Sequence, residues 1–207
     1  MESIKREAQI WFSLVVMLLI WVTILIVTGT PRSINWEAVD KLPEVVTIFI
    51  ALRFIFTKWL WRWRWFTGWL VQVPDLEGTW VGEFQSTWEN PETKQVLPPT
   101  KMILVIRQTF STISCTVFTR ESVSTSRAAQ LIKDEADAVS LSFNYTSKSK
   151  ATIQERSPMH DGAADLRVVT KPSRMLEGGY WTGRCTTGDM KLRFHSRELL
   201  ESFPENI

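Results

Sequence analysis

The chain is poor in the residues that usually announce chemistry. Its 207 residues include two histidines and two cysteines. His160 and His195 have no His, Cys or carboxylate partner at a metal-ligand spacing, which excludes the familiar zinc patterns. Cys115 and Cys185 lie far apart with no CxxC spacing, so reduced, unpaired thiols are expected. There is no GxxxxGK phosphate loop and no nucleophile elbow, and His160-Asp161 reads as a turn before Gly162 rather than a catalytic pair. No cofactor motif is present, and an enzyme is not expected. Net charge is nearly absent too, since 24 basic and 22 acidic residues leave +2. That field is too weak to gather a nucleic-acid polymer.

What the chain does have is apolar surface, unevenly placed, and 11 tryptophans. Residues 10–28 carry no charge. Nineteen residues at about 1.5 Å each give roughly 28 Å, enough to cross a hydrocarbon core. The apolar region of a signal peptide is usually about 7–15 residues, and here Lys5 and Arg6 sit beside Glu2 and Glu7, so a retained membrane helix is expected. Gly29-Thr-Pro-Arg-Ser33 ends that helix and Leu42-Pro43-Glu44 opens another, expected to span residues 45–61. Lys58, Trp59, Trp61, Arg62, Trp63, Arg64, Trp65 and Trp69 follow, a mixture suited to the bilayer interface and anionic headgroups. The loop between the helices is slightly acidic, whereas Lys5, Arg6, Lys58, Arg62 and Arg64 flank the pair. The positive-inside rule then puts both termini in the cytoplasm. Arg53 falls near the middle of the second span, where a charge is costly. It either snorkels to the interface or serves a watery site between assembled helices.

From Val73 the texture changes to short alternating segments broken by turn residues such as Asn90-Pro91, Pro98-Pro99, Asp161-Gly162 and Thr187-Gly188-Asp189. Strands are expected over residues 76–86, 101–109, 112–120, 125–132, 138–146, 164–170, 176–184 and 190–196. Eight strands in sequence suggest an up-and-down antiparallel barrel wide enough for one small ligand, with a sandwich as the alternative. Leu76-Glu-Gly-Thr-Trp80 suits a barrel start, with Trp80 plugging one end. The expected organisation is therefore a two-helix membrane hairpin over residues 1–72 and a small eight-stranded β-barrel over residues 73–207.

The barrel strands carry rings and arginines together. Tyr145 ends a strand whose alternate residues are Val139, Leu141 and Phe143. A two-residue period puts Tyr180, Thr182 and Arg184 on one face. Arg107 and Arg120 end two earlier strands and could project into the barrel mouth. A nucleobase stacks on a ring, for about 1–3 kcal/mol per base, and a phosphodiester takes an arginine fork.

Two N-terminal helices, a Trp/Arg-rich junction, Pro74-Asp-Leu-Glu-Gly-Thr-Trp80 and Gly178-Gly-Tyr-Trp-Thr-Gly183, in that order, resemble the Cap15-type effectors of CBASS, the cyclic-oligonucleotide-based antiphage signalling system. The resemblance implies a bacterial inner-membrane protein whose cytoplasmic barrel binds a cyclic dinucleotide made by a partner nucleotidyltransferase. It implies that binding drives homo-oligomerisation and that the helices then disrupt the membrane, aborting infection. On that reading Arg107, Arg120, Tyr145, Tyr180, Thr182 and Arg184 form the ligand site and Arg53 serves the membrane step. A membrane-anchored carrier of an apolar ligand or a protein-docking scaffold remains the alternative.

Overall fold

The structure is a computed structural model, and it describes residues 2–29, 36–89 and 94–204. The chain divides into two compact units, Met1–Gln72 and Val73–Ile207. The expected Asn90-Pro91 turn and residues 30–33 of the first loop lie outside the described residues.

In the first unit, α1 runs Glu2–Thr28 and α3 runs Leu42–Lys58, with a single turn, α2, at Trp36–Val39 between them. Gly29 ends α1 in the left-handed region at φ +68, a conformation that costs glycine little. Pro43 sits in the first turn of α3, where its missing N–H is not needed. The two long helices pack together, burying Leu25 and Val45, and the Trp21 indole donates to the Ala38 carbonyl at 3.0 Å. Within α1, Ile10–Thr28 is long and apolar enough to cross a membrane. Its outer face leaves Trp11, Leu14, Leu18 and Ile26 exposed, a stripe that water would not tolerate alone.

The second apolar helix starts and ends three residues earlier than the expected 45–61. Trp59 leaves the helix at φ −130, a 3-10 turn occupies Leu60–Arg62, and the tryptophan run continues as turns. Lys58 lies over the rings of Phe54 and Trp59, and Arg62 over Trp61, so cation–ring contacts replace further helical turns. Seventeen residues give α3 about 25 Å. Arg53 lies three residues past the middle of α3, five before its end, and is exposed.

The second unit is the expected barrel. Its strands are β1 Gly78–Ser86, β2 Thr100–Gln108, β3 Ile113–Phe118, β4 Ser122–Lys133, β5 Val139–Ser149, β6 His160–Val169, β7 Met175–Thr182 and β8 Thr187–Ser196. Each pairs antiparallel with the next, and β8 pairs with β1 to close the ring. The end at which the chain enters from Val73 is here called lower, and the end at which β1, β3, β5 and β7 finish, upper.

Alternation divides each strand between the lumen and the outside. The lumen is filled at its lower end by Leu76, Trp80, Ile106, Leu176 and Leu192, all essentially without exposure. There the Trp80 indole donates to the Leu76 carbonyl at 2.9 Å and packs edge-on against Phe194. Gln108, turned inward at the end of β2, accepts from the Leu76 N–H at 2.7 Å and donates to the Pro74 carbonyl at 3.0 Å. Arg174 lies 3.9 Å from the centre of the Phe194 ring and donates to the Asp75 carbonyl.

β2 departs from alternation. Met102 through Ile106 are all buried because a segment after β8 covers the outer face. Leu199, Leu200 and Phe203 pack on Ile103, Val105 and Phe118, and Thr79 ties the segment down through the Glu198 carbonyl and the Leu200 N–H. Five consecutive apolar residues are the mark of a strand covered on both faces.

Candidate functional site

The upper half of the lumen differs in chemistry from the lower. Ser124 on β4 and Ser147 and Ser149 on β5 are buried there, among the few polar side chains so placed. Ser124 and Ser147 face each other across the ladder. The run Ser122-Val-Ser-Thr-Ser126 and the end of β5, Ser147-Lys-Ser149, put a hydroxyl at every second position, so the lumen face is hydroxylic and the outer face differs. β5 continues three residues beyond the expected end at residue 146, which brings in Ser147 and Ser149.

Tyr145 and Tyr180 sit at the border between the two halves, 6% and 7% exposed. Each is paired across the ladder with a glycine, Tyr145 with Gly162 on β6 and Tyr180 with Gly188 on β8. The rings occupy the space that side chains there would fill: a methyl at Gly162 would lie 2.7 Å from Tyr145 Cζ, and one at Gly188 would lie 2.6 Å from a Tyr180 ring carbon. His160, Asp161, Gly162, Thr187, Gly188 and Asp189 therefore belong to strands, not to the expected turns. Glycine serves these positions by giving room to a neighbour's ring. Phe84 meets Tyr180 edge-on at 5.7 Å and Phe143 adjoins Tyr145.

Burial pushes both phenols further from ionisation than their ordinary value already does. The Tyr145 pKa is pushed up from 10 to about 12, chiefly by burial and further by the neighbouring Tyr180. Burial raises Tyr180 as well, against the Ser86 hydrogen bond and the Arg184 charge, which favour its ionised form. At neutral pH the lumen thus presents two neutral hydroxyl donors beside the serines.

The expected site residues do not all meet. Tyr145 and Tyr180 face the lumen, and Thr182 ends β7 at the upper rim. The Thr182 hydroxyl shares a hydrogen bond of 2.6 Å with that of Thr186, stapling the hairpin turn. β7 stops there, so Arg184 is not a third residue on the same strand face. It lies in the turn closed by Thr182 and Thr186 and reaches Ser157 Oγ at 3.1 Å, which in turn accepts from Ser149 at 3.2 Å. Arg184 thereby links the rim to the buried serines. Arg120 likewise lies past the end of β3, in a turn capped by the Thr119 hydroxyl, exposed at the upper end. Next to it Glu121 pairs with Arg156 at 2.8 Å.

Arg107 stands apart. It precedes the inward Gln108, points outward and is exposed at the lower end of β2. One residue of register decides this, since neighbouring positions on a strand face opposite ways. The residues that the sequence did not single out are Ser124, Ser147, Ser149 and Ser157. Their signal was the alternation of hydroxyls in two segments otherwise read for their apolar residues.

Among the described residues no group of three or more His, Cys, Asp or Glu could hold a metal ion. Cys115 and Cys185 are free. The site offers hydrogen bonds, ring surfaces and a cation at the rim.

The fold is a closed antiparallel barrel with an apolar lower end and buried serines in its upper half, preceded in the chain by a pair of packed helices. Residues 71–193, more than half of the chain, match the family described as Cap15, cyclic dinucleotide receptor domain. The chain belongs to that family and is a Cap15-type CBASS effector. It is 27% identical over 183 residues to CD-NTase-associated protein 15 of Staphylococcus schleiferi, covering 88% of this chain and 91% of that one. It is 23% identical over 188 residues to the protein of the same name from Escherichia albertii, covering 89% of each.

Proposed function

We propose that the chain is an inner-membrane effector whose barrel, on the cytoplasmic side, binds a cyclic dinucleotide through its upper lumen. The observation that carries this reading is the lumen's division into an apolar lower end and an upper half of buried serines and neutral phenols, with Arg184 at the rim. Bases need flat apolar surface and edge hydrogen bonds, and phosphates need hydroxyl and arginine donors. An apolar-ligand carrier has no use for Ser124, Ser147 and Ser149. Arg120 adds positive charge at the same rim, while the Arg156 charge there is matched by Glu121.

In this reading α1 and α3 span the bilayer as a hairpin, with both termini in the cytoplasm and Trp59, Trp63, Trp65 and Trp69 at the interface. These four rings are exposed, as residues meeting headgroups would be. Ligand binding favours an assembled state, and the gathered helices breach the membrane. The ligand acts only through differential affinity for the assembled state; moving a population from 1:99 to 99:1 takes roughly 10⁴-fold tighter binding. Arg53 serves the breach by drawing water between neighbouring helices.

Calorimetry of the full chain in detergent against a panel of cyclic dinucleotides tests the binding step. At least one should give saturable heat. Loss of a charge-assisted contact costs about 1.5–3 kcal/mol, so Arg184→Ala should bind roughly ten- to a hundred-fold more weakly. Its melting temperature should hold, since Arg184 is exposed and bonded to one hydroxyl. No heat from any member of the panel, or unchanged affinity in both Arg184→Ala and Tyr180→Ala, would remove the ligand from the upper lumen.

A further inference from the structure

The wall of the barrel is unevenly joined. β4 spans 12 residues and its neighbour β3 only 6. They share three facing pairs: Thr116 with Thr125, Val117 with Ser124 and Phe118 with Val123. Below these the ladder parts. The Cys115 N–H goes to the Ser126 hydroxyl at 2.9 Å, and Arg127 is the extra residue of a bulge against β5. From Ala128 to Lys133, β4 stays paired with β5. Among the described residues no backbone–backbone bond joins that stretch to β3 or to any other segment on its other side.

A strand so placed offers a row of unpaired N–H and C=O groups, a template for another strand. Ala129 and Leu131 turn to the core, while Ala128, Gln130 and Ile132 are exposed. The lysine that would blunt such an edge, Lys133, is paired with Asp137 at 2.6 Å. The two ends of the free stretch carry opposite charge, Arg127 at one, which also meets Asp161 at 3.7 Å across open solvent, and Glu135 at the other. An antiparallel copy of the same edge therefore meets it with complementary charge.

We propose that the free edge of β4 is a docking surface for a second copy of this chain, the two β4 strands pairing antiparallel about a two-fold axis. A two-fold axis preserves the face to which each residue points, so one residue of β4 must lie on it. With Gln130 there, Arg127 would face Lys133. With Leu131 on the axis, Arg127 of each copy faces Glu135 of the other, and Gln130 faces Ile132. That register keeps the outer side chains together and joins the two barrels by one continuous sheet. It gives the assembly proposed above its contact surface and requires nothing of the ligand's identity.

The test uses the full chain in detergent on a Cys185→Ser background, alone and with cyclic di-AMP or cyclic di-GMP, under mild oxidation. A mixture of Gln130→Cys and Ile132→Cys chains should cross-link more than either variant alone, because only the mixed pair is directly opposed. Arg127→Glu should reduce the cross-linked fraction by roughly two- to tenfold, since two such pairs close each interface. Adding Glu135→Arg to the same chain should restore it. Arg167→Cys, on the outer side of a strand paired on both edges, should give none. No mixed cross-link under any condition, equal cross-linking at residue 167, or absence of rescue by the double reversal overturns the proposal. Calorimetry on the same samples keeps the two readings apart, since binding without cross-linking sinks the edge alone.

Discussion

Gly162→Ala would press directly on the proposed ligand site. The added methyl would stand 2.7 Å from both Cζ and Oη of Tyr145 and 2.8 Å from the Trp181 carbonyl oxygen. Comfortable carbon contacts begin near 3.5 Å, so all three must give way. The ring has little room, with Phe143 at 5.9 Å between centroids and Tyr180 close by. Overpacking of this kind typically costs about 1–3 kcal/mol, and for a chain of this size each kcal/mol moves the midpoint by roughly 2–4 °C. Removing the ring with Tyr145→Ala should cost more, about 3–5 kcal/mol, for the cavity it leaves. The informative measurement is the double variant. With the ring gone the methyl meets only the carbonyl, so the pair should be less destabilised than the sum by about 1 kcal/mol or more. Thermal and denaturant unfolding of the four proteins in detergent, followed by tryptophan fluorescence, gives the cycle. Additivity within about 0.5 kcal/mol would mean that Tyr145 does not rest on Gly162, and the geometry assigned to the lumen would be wrong.

Two further outcomes follow from groups already placed. Cys115 is raised by burial from 9 to about 12 and Tyr145 from 10 to about 12, so both favour the folded state while protonated. Stability should be level up to about pH 9 and fall as pH climbs toward about 12. Cys115→Val should delay the onset and Tyr145→Phe should flatten the later part; an unchanged profile in both variants refutes the assignment. In the membrane, Arg53→Leu should leave expression and assembly intact but reduce dye leakage from vesicles at equal protein. Leakage at the full level would assign the breach to helix crowding or to the tryptophan belt.

The barrel was legible because its strands alternate and its breaks are short: Val139-Ser-Leu-Ser-Phe-Asn-Tyr145 can hardly be read as anything else. The strand ends were less so. Gly162 and Gly188 are turn residues by habit, and nothing local says that a tyrosine one strand away needs the space. The same limit hid the serines, whose meaning depends on which face of a curved wall encloses a lumen. Arg184 and Arg120 reached the rim, but through turns rather than along strands. Arg107 ends a strand that runs to the lower end, and it points outward there. In the helical unit, the helix expected to reach residue 61 ends at Lys58, where Lys58 lies over the rings of Phe54 and Trp59 and a 3-10 turn follows.

The closing pair of the barrel, β1 with β8, joins residues as distant as Thr79 and Ser196. During synthesis β1 and β2 therefore emerge long before the strand that completes them, and the cover over Ile103 and Val105 comes later still. If α1 has by then entered the bilayer, an unfinished receptor waits there with its apolar strands bare. Contacts so remote in sequence form slowly. Sensing thus begins at a defined moment in the life of each molecule, when β8 docks, and a cell that must answer infection promptly has to keep finished copies in store.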